Sequence, residues 1–305
     1  MRVAVADMGT NSTRLLVADV EDGEVKELER RSTVTRLGRG VDTSRQLATE
    51  AIEDVVSAVG EYIKLYEPLE PDVVLALATS AVRDAENSGA FIAELRERFA
   101  LNARILTGEE EARLTYVGAV AGRAPSDGTL VIDIGGGSTE IVVGSGREMA
   151  FHTSLQLGTV RHTERHIRND PPTAPELEAL AEDIRKQLFA ELAAADFFEI
   201  HTGIAVAGTP TSLAAIDQEL DPYDPERVHG YVLSLDAIQH MYSMLSGKSL
   251  EERLKVPGLH PGRAPTIVAG VVILIQAMRA FGLQEIEVSE HDILYGAALE
   301  AAGSP

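Results

Sequence analysis

The sequence contains no cysteine and no tryptophan. The first absence removes disulfide frameworks, thiolate metal sites and a cysteine nucleophile together, and it suits a reducing compartment. Aromatic residues make up only 5% of the chain, so the core has to be built from Ala, Val, Leu and Ile. Long apolar runs are missing too. The longest, Ala264 to Ile275, is interrupted by Pro265 and followed by Gln276 and Arg279. That falls short of the roughly 20 apolar residues a membrane-spanning helix needs, and the run reads as a buried core helix. The opening MRVAVADMG has neither the apolar h-region nor the small-residue cleavage site of a signal peptide, so the expected location is the cytoplasm. Positive charge is also scarce: 27 Lys and Arg against 48 Asp and Glu give a net charge of −21. Such a field repels nucleic acid and anionic membranes, and neither is expected as a partner.

What is present is the balance of a folded protein. The chain has 305 residues, 45% hydrophobic and 25% charged, which leaves room for two domains. The pattern begins strand, turn, strand: RVAVAD, MGTNS, TRLLVADV. A further β-rich stretch ends near TVTRLGRG. Apolar residues at helical spacing from Thr49 to Tyr66 predict a helix, Val73 to Ala78 a short buried strand, and the segments that follow a loop and helix, then a strand and an acid-rich helix. Residues 121–129 collect Gly, Pro, Ser and Asp and are the expected linker. After them come LVIDIGGGSTEIVVG, a helix from Ala174 to Ala195, a strand at GIAVAGTPTS, the buried helix near 265–281, the strand EIEVSE and a final short helix. Strands alternate with helices, but the hairpins predict mixed sheets.

An internal duplication carries the functional reading. VADMGTNSTRLLV aligns without gaps on VIDIGGGSTEIVV, so that Asp7 matches Asp133, Gly9 matches Gly135, Ser12 matches Ser138 and Thr13 matches Thr139, every pair 126 residues apart. Each turn offers small residues through which backbone amides approach an anion, and Thr10, Ser12, Ser138 and Thr139 add hydroxyls. A carboxylate beside such a turn repels phosphate unless a hard cation lies between them, and Mg2+ commonly joins one or two carboxylates to phosphate oxygens. Other motifs fail. SGKS at 246–249 lacks the earlier P-loop glycine, where Tyr242 stands, and Gly38 and Gly40 lack the third glycine of a dinucleotide fingerprint. His162 and His166 have the i, i+4 spacing of a zinc pair, but Glu164 is not where a metalloprotease base belongs, and ordinary surface-helix spacing accounts for the pair.

The duplicated turns resemble the phosphate loops of the superfamily that contains actin, sugar kinases and heat-shock chaperone ATPases. DMGTNSTRLL, TSAVRDAENS, TGEEEARLTYVGA, VIDIGGGSTEIVVG, SLQLGTVRHTE and AVAGTPTSLAA, in this order, narrow the resemblance to the exopolyphosphatase/guanosine pentaphosphate phosphohydrolase family. It implies an α/β protein of two ribonuclease-H-like (actin-like ATPase) domains with mixed sheets flanked by helices and the site in the interdomain cleft. The expected divisions are 1–122 and 123–290, with a helix at about 291–305 packing back on the first domain. By the same resemblance Glu111 is the general base, and its acidic neighbours Glu109 and Glu110 are read as raising its proton affinity. Asp133 and Glu140, joined by Asp7, would hold Mg2+ or Mn2+. Gly9, Thr10, Asn11, Ser12, Arg83, Gly135, Gly136, Gly137, Ser138, Gly208 and Thr209 would bind phosphate, with Arg36 and Arg263 tracking a longer anion.

The expected activity is Mg2+-dependent release of orthophosphate from the ends of inorganic polyphosphate. Because the chain ends after the two-domain core, shorter polymers are the expected preference, and a homodimer is the state the family implies. Hydrolysis of guanosine pentaphosphate, or of another nucleoside polyphosphate, draws on the same residues. A non-catalytic sensor of alarmone or polyphosphate is a reading of another class, and a kinase would need an acceptor-binding segment that is not identifiable. Three departures from the family pattern stand out: Leu294 and Tyr295 before Gly296, VSEHDIL in place of a small-residue turn, and Pro265 at a position often acidic.

Overall fold

The computed structural model describes residues 1–124, 126–192 and 199–303. The chain divides into two compact units, Met1–Arg123 with His291–Pro305, and Ala124–Glu290. The boundary falls inside the glycine- and proline-rich stretch at 121–129, of which Pro125 lies outside the described residues.

The first unit runs β1 (Arg2–Met8), β2 (Ser12–Glu21), β3 (Glu24–Val34), α1 (Val41–Ser44), α2 (Thr49–Tyr66), β4 (Val73–Ala78), α3 (Ser80–Asp84), α4 (Ser88–Phe99), β5 (Ala103–Ile105) and α5 (Gly108–Val120). Its sheet has the order β3-β2-β1-β4-β5, antiparallel through β1, β2 and β3 and parallel from β1 to β5. Asp22 and Gly23 close the β2–β3 hairpin with φ of 51° and 80°, the left-handed pair that a two-residue turn requires. Period-2 alternation sorts the side chains of β1 and β2 between two cores. Ala4, Leu15 and Val17 pack with Tyr62 and Tyr66 of α2, while Val3, Val5, Leu16, Ala18 and Val20 pack with α5 and the chain's last helix.

The second unit runs β6 (Thr129–Ile134), β7 (Thr139–Ser145), β8 (Glu148–Leu155), α6 (Thr159–His166), α7 (Ala174–Leu192), β9 (Thr202–Val206), α8 (Gly208–Asp217), α9 (Pro225–Val228), β10 (Val232–Ser234), α10 (Leu235–Ser246), α11 (Leu250–Arg253), α12 (Ile267–Ala280) and β11 (Glu285–Val288). The sheet order is β10-β11-β9-β6-β7-β8. The series β8-β7-β6-β9 repeats β3-β2-β1-β4 in both order and direction, so the duplicated motif occupies equivalent places in two sheets, each a ribonuclease-H-like arrangement flanked by helices. The expected helix at Ala174–Ala195 is described to Leu192, and 193–195 lie outside the described residues. The apolar run near 265–281 is α12, buried along most of its length, and Pro265 precedes it. GIAVAGTPTS is not one strand: β9 stops at Val206, Ala207 turns the chain at φ 71°, and GTPTS opens α8. Pro210 sits in the first turn of that helix, where its missing amide costs nothing.

The chain returns to the first unit as α13 (Ile293–Ala301); Ser304 and Pro305, within the helical segment expected at about 291–305, lie outside the described residues. Helices α5 and α13 cross at two glycines. A Cβ on Gly118 would lie 1.9 Å from the Asp292 carbonyl oxygen, and one on Gly296 would lie 1.8 Å from that of Leu114. The residues that depart from the family pattern here are structural: Leu294 is fully in the core, and the Tyr295 hydroxyl donates to Glu27 Oε1 at 2.6 Å. Alanine at Gly296 forces these backbones apart, an overpacking that typically costs about 1–3 kcal/mol. Urea unfolding of Gly296→Ala is therefore expected to show a lowered midpoint and an unfolding free energy smaller by at least about 1 kcal/mol, and an unchanged midpoint would contradict the close crossing.

Candidate functional site

The two duplicated turns are built by the same bond. Gly9 N donates to Ser12 O at 3.1 Å, and Gly135 N donates to Ser138 O at 3.0 Å. A Cβ would come within 2.9 and 3.0 Å of those same oxygens, so glycine is required at both places. The turn carbonyls point back into the protein. Thr10 O accepts from Gly38 N, and Asn11 O from Thr35 N and Arg36 N. In the second unit Gly135 O accepts from Thr159 N, Gly136 O from Val160 N and Arg161 N, and Gly137 O from Arg161 Nε at 2.7 Å. A trans peptide aims its N–H opposite to its C=O. The amides of Asn11 and Ser12, and those of Gly136, Gly137 and Ser138, are thereby turned away from these partners, which is the disposition an anion-binding nest needs.

Topology gathers the rest of each candidate set at the carboxyl ends of the strands, where open α/β sheets bind ligands. In the first unit β1 and β4 are parallel with Met8 opposite Ala78, so Gly9 lies beside the start of α3, which carries Arg83. In the second, Asp133 is opposite Val206, which sets Gly208 and Thr209 beside Gly135. Arg263 covers Gly208 so closely that a Cβ would fall 1.5 Å from its Nη1. Thr209 Oγ1 lies against Gly270 of α12, which leaves Thr209 its backbone amide to offer a ligand. The hydroxyl expected from Thr139 is spent elsewhere, donating to Leu157 O at 2.6 Å.

The catalytic candidate sits on α5. Thr107 and Glu110 form a capping box at its N-terminus, which fixes Glu110 outward and turns Glu111 into the unit. There Arg83 Nη1 donates to Glu111 Oε2 and to Leu106 O, both at 2.8 Å. Burial raises the Glu111 pKa to about 6 against the pull of Arg83, with the charge of Asp7 adding to the rise. The cause differs from the sequence reading: neighbouring Glu109 and Glu110 do not produce the shift, burial does. Arg83 likewise pairs with Glu111, and not with Asp84 or Glu86 beside it in sequence. Its Nη2 is buried with no hydrogen-bond partner.

The two hairpins differ in one cross-strand pair. Opposite Asp7 in the β1–β2 register stands Arg14, and opposite Asp133 in β6–β7 stands Glu140. Arg14 Nη2 and Nε donate to Asp7 Oδ2 at 2.7 and 3.1 Å, and its Nη1 pairs with buried Asp292 at the cap of α13. Burial raises the Asp7 pKa in spite of Arg14, and Asp7 Oδ1 is buried with no partner. In the second unit two buried carboxylates stand side by side, with Ser154 Oγ donating to Glu140 Oε1 at 2.7 Å. Asp133 and Glu140 are hard oxygen donors of the kind that could hold a divalent cation, and Asp7, paired with Arg14, offers one orphan oxygen.

A match to the model of the Ppx/GppA phosphatase family spans residues 16–301. The chain belongs to that family. Exopolyphosphatase 2 of Mycobacterium tuberculosis is 37% identical over 99% of each chain, and Exopolyphosphatase 1 of Mycobacterium bovis is 30% identical over 94% of this chain and 84% of that one. The crystal structure of the Aquifex aeolicus Ppx/GppA family member superposes with a TM-score of 0.84 at 32% identity, covering 99% of this chain and 97% of its own. No helix among the described residues is long and apolar enough to cross a membrane.

Within the Ppx/GppA frame, Arg14, Asp292, Gly38 and Gly158 are residues that sequence reasoning passed over. A Cβ on Gly38 would fall 2.2 Å from Thr10 Cγ2, and one on Gly158 would fall 2.2 Å from Gly136 O. The available signal was a second repeat, Leu37-Gly38 after β3 and Leu157-Gly158 after β8, each with a fully buried leucine. Arg14→Met leaves Asp7 and Asp292 buried without their cation, a loss that typically costs about 3–5 kcal/mol. Burial raises the Asp7 pKa; burial acts on Asp292 in the same sense, but there the charges of Arg14 and Arg30 outweigh it and lower the pKa. Without Arg14 the cost is small where both carboxyls are protonated and grows as rising pH ionises them. Denaturant unfolding is expected to show a larger deficit at pH 8 than at pH 5.

Proposed function

We propose that this chain is an exopolyphosphatase that hydrolyses the terminal phosphoanhydride bond of inorganic polyphosphate and releases orthophosphate. The observation that carries the reading is the Glu111–Arg83 pair: a buried carboxyl with a pKa raised to about 6, held by one guanidinium nitrogen while the other nitrogen has no partner. A carboxylate with that proton affinity is suited to general-base work near neutral pH. In the proposed step Glu111 takes a proton from water as the water oxygen bonds to the terminal phosphorus. The bond from that phosphorus to the bridging oxygen breaks, and its electron pair leaves on the shortened chain. Arg83 Nη2 and the amides of the glycine turn in the same unit neutralise charge on the phosphoryl oxygens, the contribution that dominates phosphoryl transfer.

The donors also fit Mg2+. Asp133 and Glu140 are hard oxygen ligands, and a bound Mg2+ would supply the positive charge that lets phosphate approach these carboxylates. Arg36, exposed while its amide donates to Asn11 O, adds a cation beside the first turn for the next phosphate along the chain. Local charge of this kind answers the net charge of −21.

The test measures phosphate release from short polyphosphate, long polyphosphate and guanosine pentaphosphate by wild type and Glu111→Gln, with Mg2+ and with chelator. Turnover is expected to be highest on short polyphosphate, to vanish with chelator and to fall at least about 100-fold in Glu111→Gln. Because the base must be ionised, kcat/KM is expected to rise with pH through about 6. Undiminished turnover by Glu111→Gln would refute the assignment, and activity confined to guanosine pentaphosphate would move the substrate to the nucleotide.

A further inference from the structure

His162 and His166 are not the ordinary surface pair that their spacing suggested. His162 is completely buried on α6, and Asp183 of α7 meets both rings: His166 Nε2 lies 2.8 Å from Asp183 Oδ2 and His162 Nε2 lies 3.6 Å from it. The two imidazoles stack with centroids 5.9 Å apart. One ligand atom from each of the three residues falls within 4.8 Å of the others, a triangle that a small cation closes with minor side-chain rotation. The residues that surround them act as a second layer. Gly158 N and O both lie 3.2 Å from His162 Nδ1, fixing the ring from behind with Nε2 toward Asp183, and Gln187 Nε2 donates to Asp183 Oδ1 at 3.1 Å.

We propose that His162, His166 and Asp183 bind a first-row transition-metal ion such as Zn2+, at a site separate from the Mg2+ carboxylates, and that the ion pins α6 to α7 behind the glycine turn. Two imidazoles and one carboxylate suit Zn2+ and its neighbours and not Mg2+, which takes oxygen ligands. Orientation of a ligating imidazole through its other ring nitrogen is the usual second-layer arrangement of such sites. Burial pushes the His162 pKa down to about 4, so the ring is neutral. Burial works to raise the Asp183 pKa, yet hydrogen bonds from His166 and Gln187 outweigh it and hold the carboxyl below its ordinary value. The side chains of His166 and Asp183 are partly exposed, 18% and 33%, which leaves an entry path.

The position gives the ion a structural consequence. Gly158, which holds His162, is also the residue whose missing side chain lets α6 press on Gly136, and Thr159, Val160 and Arg161 bond the turn carbonyls. One turn of helix therefore separates the metal ligands from the backbone that aims the second set of amides.

Full-length protein, stripped with chelator and returned to buffer containing millimolar Mg2+, is titrated with Zn2+ by calorimetry, and with Co2+ while its visible spectrum is recorded. One Zn2+ per chain is expected, undisplaced by Mg2+, with cobalt bands of a nitrogen-ligated site and a Tm raised by roughly 3 °C or more at saturation. His166→Gln and Asp183→Asn, both at partly exposed positions, are each expected to weaken Zn2+ at least tenfold, while Asp133→Asn leaves it unchanged. The proposal is overturned by absence of stoichiometric Zn2+ binding to wild type, by a cobalt spectrum with oxygen ligands only, by binding that survives both substitutions, or by binding lost in Asp133→Asn. The cobalt spectrum of wild type decides the matter even if a variant fails to fold.

Discussion

In each half of the protein a glycine amide donates across a hairpin bend to a serine carbonyl two residues past the apex, Gly9 to Ser12 and Gly135 to Ser138. This short bond commits the direction of every peptide in the bend. Once the bend is closed, its carbonyls have to find donors behind it, and they find them in the segment after β3 in one unit and in the first turn of α6 in the other. The amides are then presented at the carboxyl ends of the strands. Glycine is needed twice for the same reason: at the bend, where a Cβ would strike the accepting carbonyl, and in the backing segment, where Gly38 and Gly158 touch the bend directly. Each glycine bend is thus a two-piece object, with hairpin and backing turn locked by main-chain bonds.

Duplication built two such loops, and one cross-strand position made them different. Arg14 and Glu140 occupy the same place in the repeat, facing Asp7 and Asp133. A buried carboxylate demands either a cation from the protein or a cation from solution. The first hairpin takes the former course and ties the same arginine to Asp292, so its charge is balanced from within and the returning helix α13 is anchored to the sheet. The second hairpin sets a second carboxylate at that place, so Asp133 and Glu140 are buried side by side, with the Ser154 hydroxyl donating to Glu140.

Much of this was legible because it is local. The hairpins, their glycines and the repeat are contiguous in the chain, and near-continuous apolar runs mark the strands with both faces covered. Glu111 stood out only through resemblance to a family, since three consecutive glutamates look alike in sequence. The capping box that turns Glu110 outward and Glu111 inward separates them, and burial, not the neighbouring acids, sets the proton affinity of Glu111. Long-range pairs were invisible: Arg14 and Asp292 are 278 residues apart, and nothing local distinguishes either from a surface charge. Thr139 illustrates the opposite error, a hydroxyl in a phosphate-like motif that the fold uses to hold Leu157.

The acidity of the chain then has a different meaning from the one that composition alone conveys. A surface of net charge −21 disfavours any polyanion at long range, yet a basic surface would hold phosphate chains everywhere and release product slowly. Inside the fold, positive charge is set against particular carboxylates, as Arg14 is between Asp7 and Asp292. Arg83 shows the arrangement at the scale of a single residue. One nitrogen holds Glu111 while the other is buried without a hydrogen-bond partner. Burial raises the proton affinity of Glu111 and the guanidinium opposes it, so any displacement of that one planar group from the carboxylate would raise the proton affinity further, without any moving part beyond a side chain.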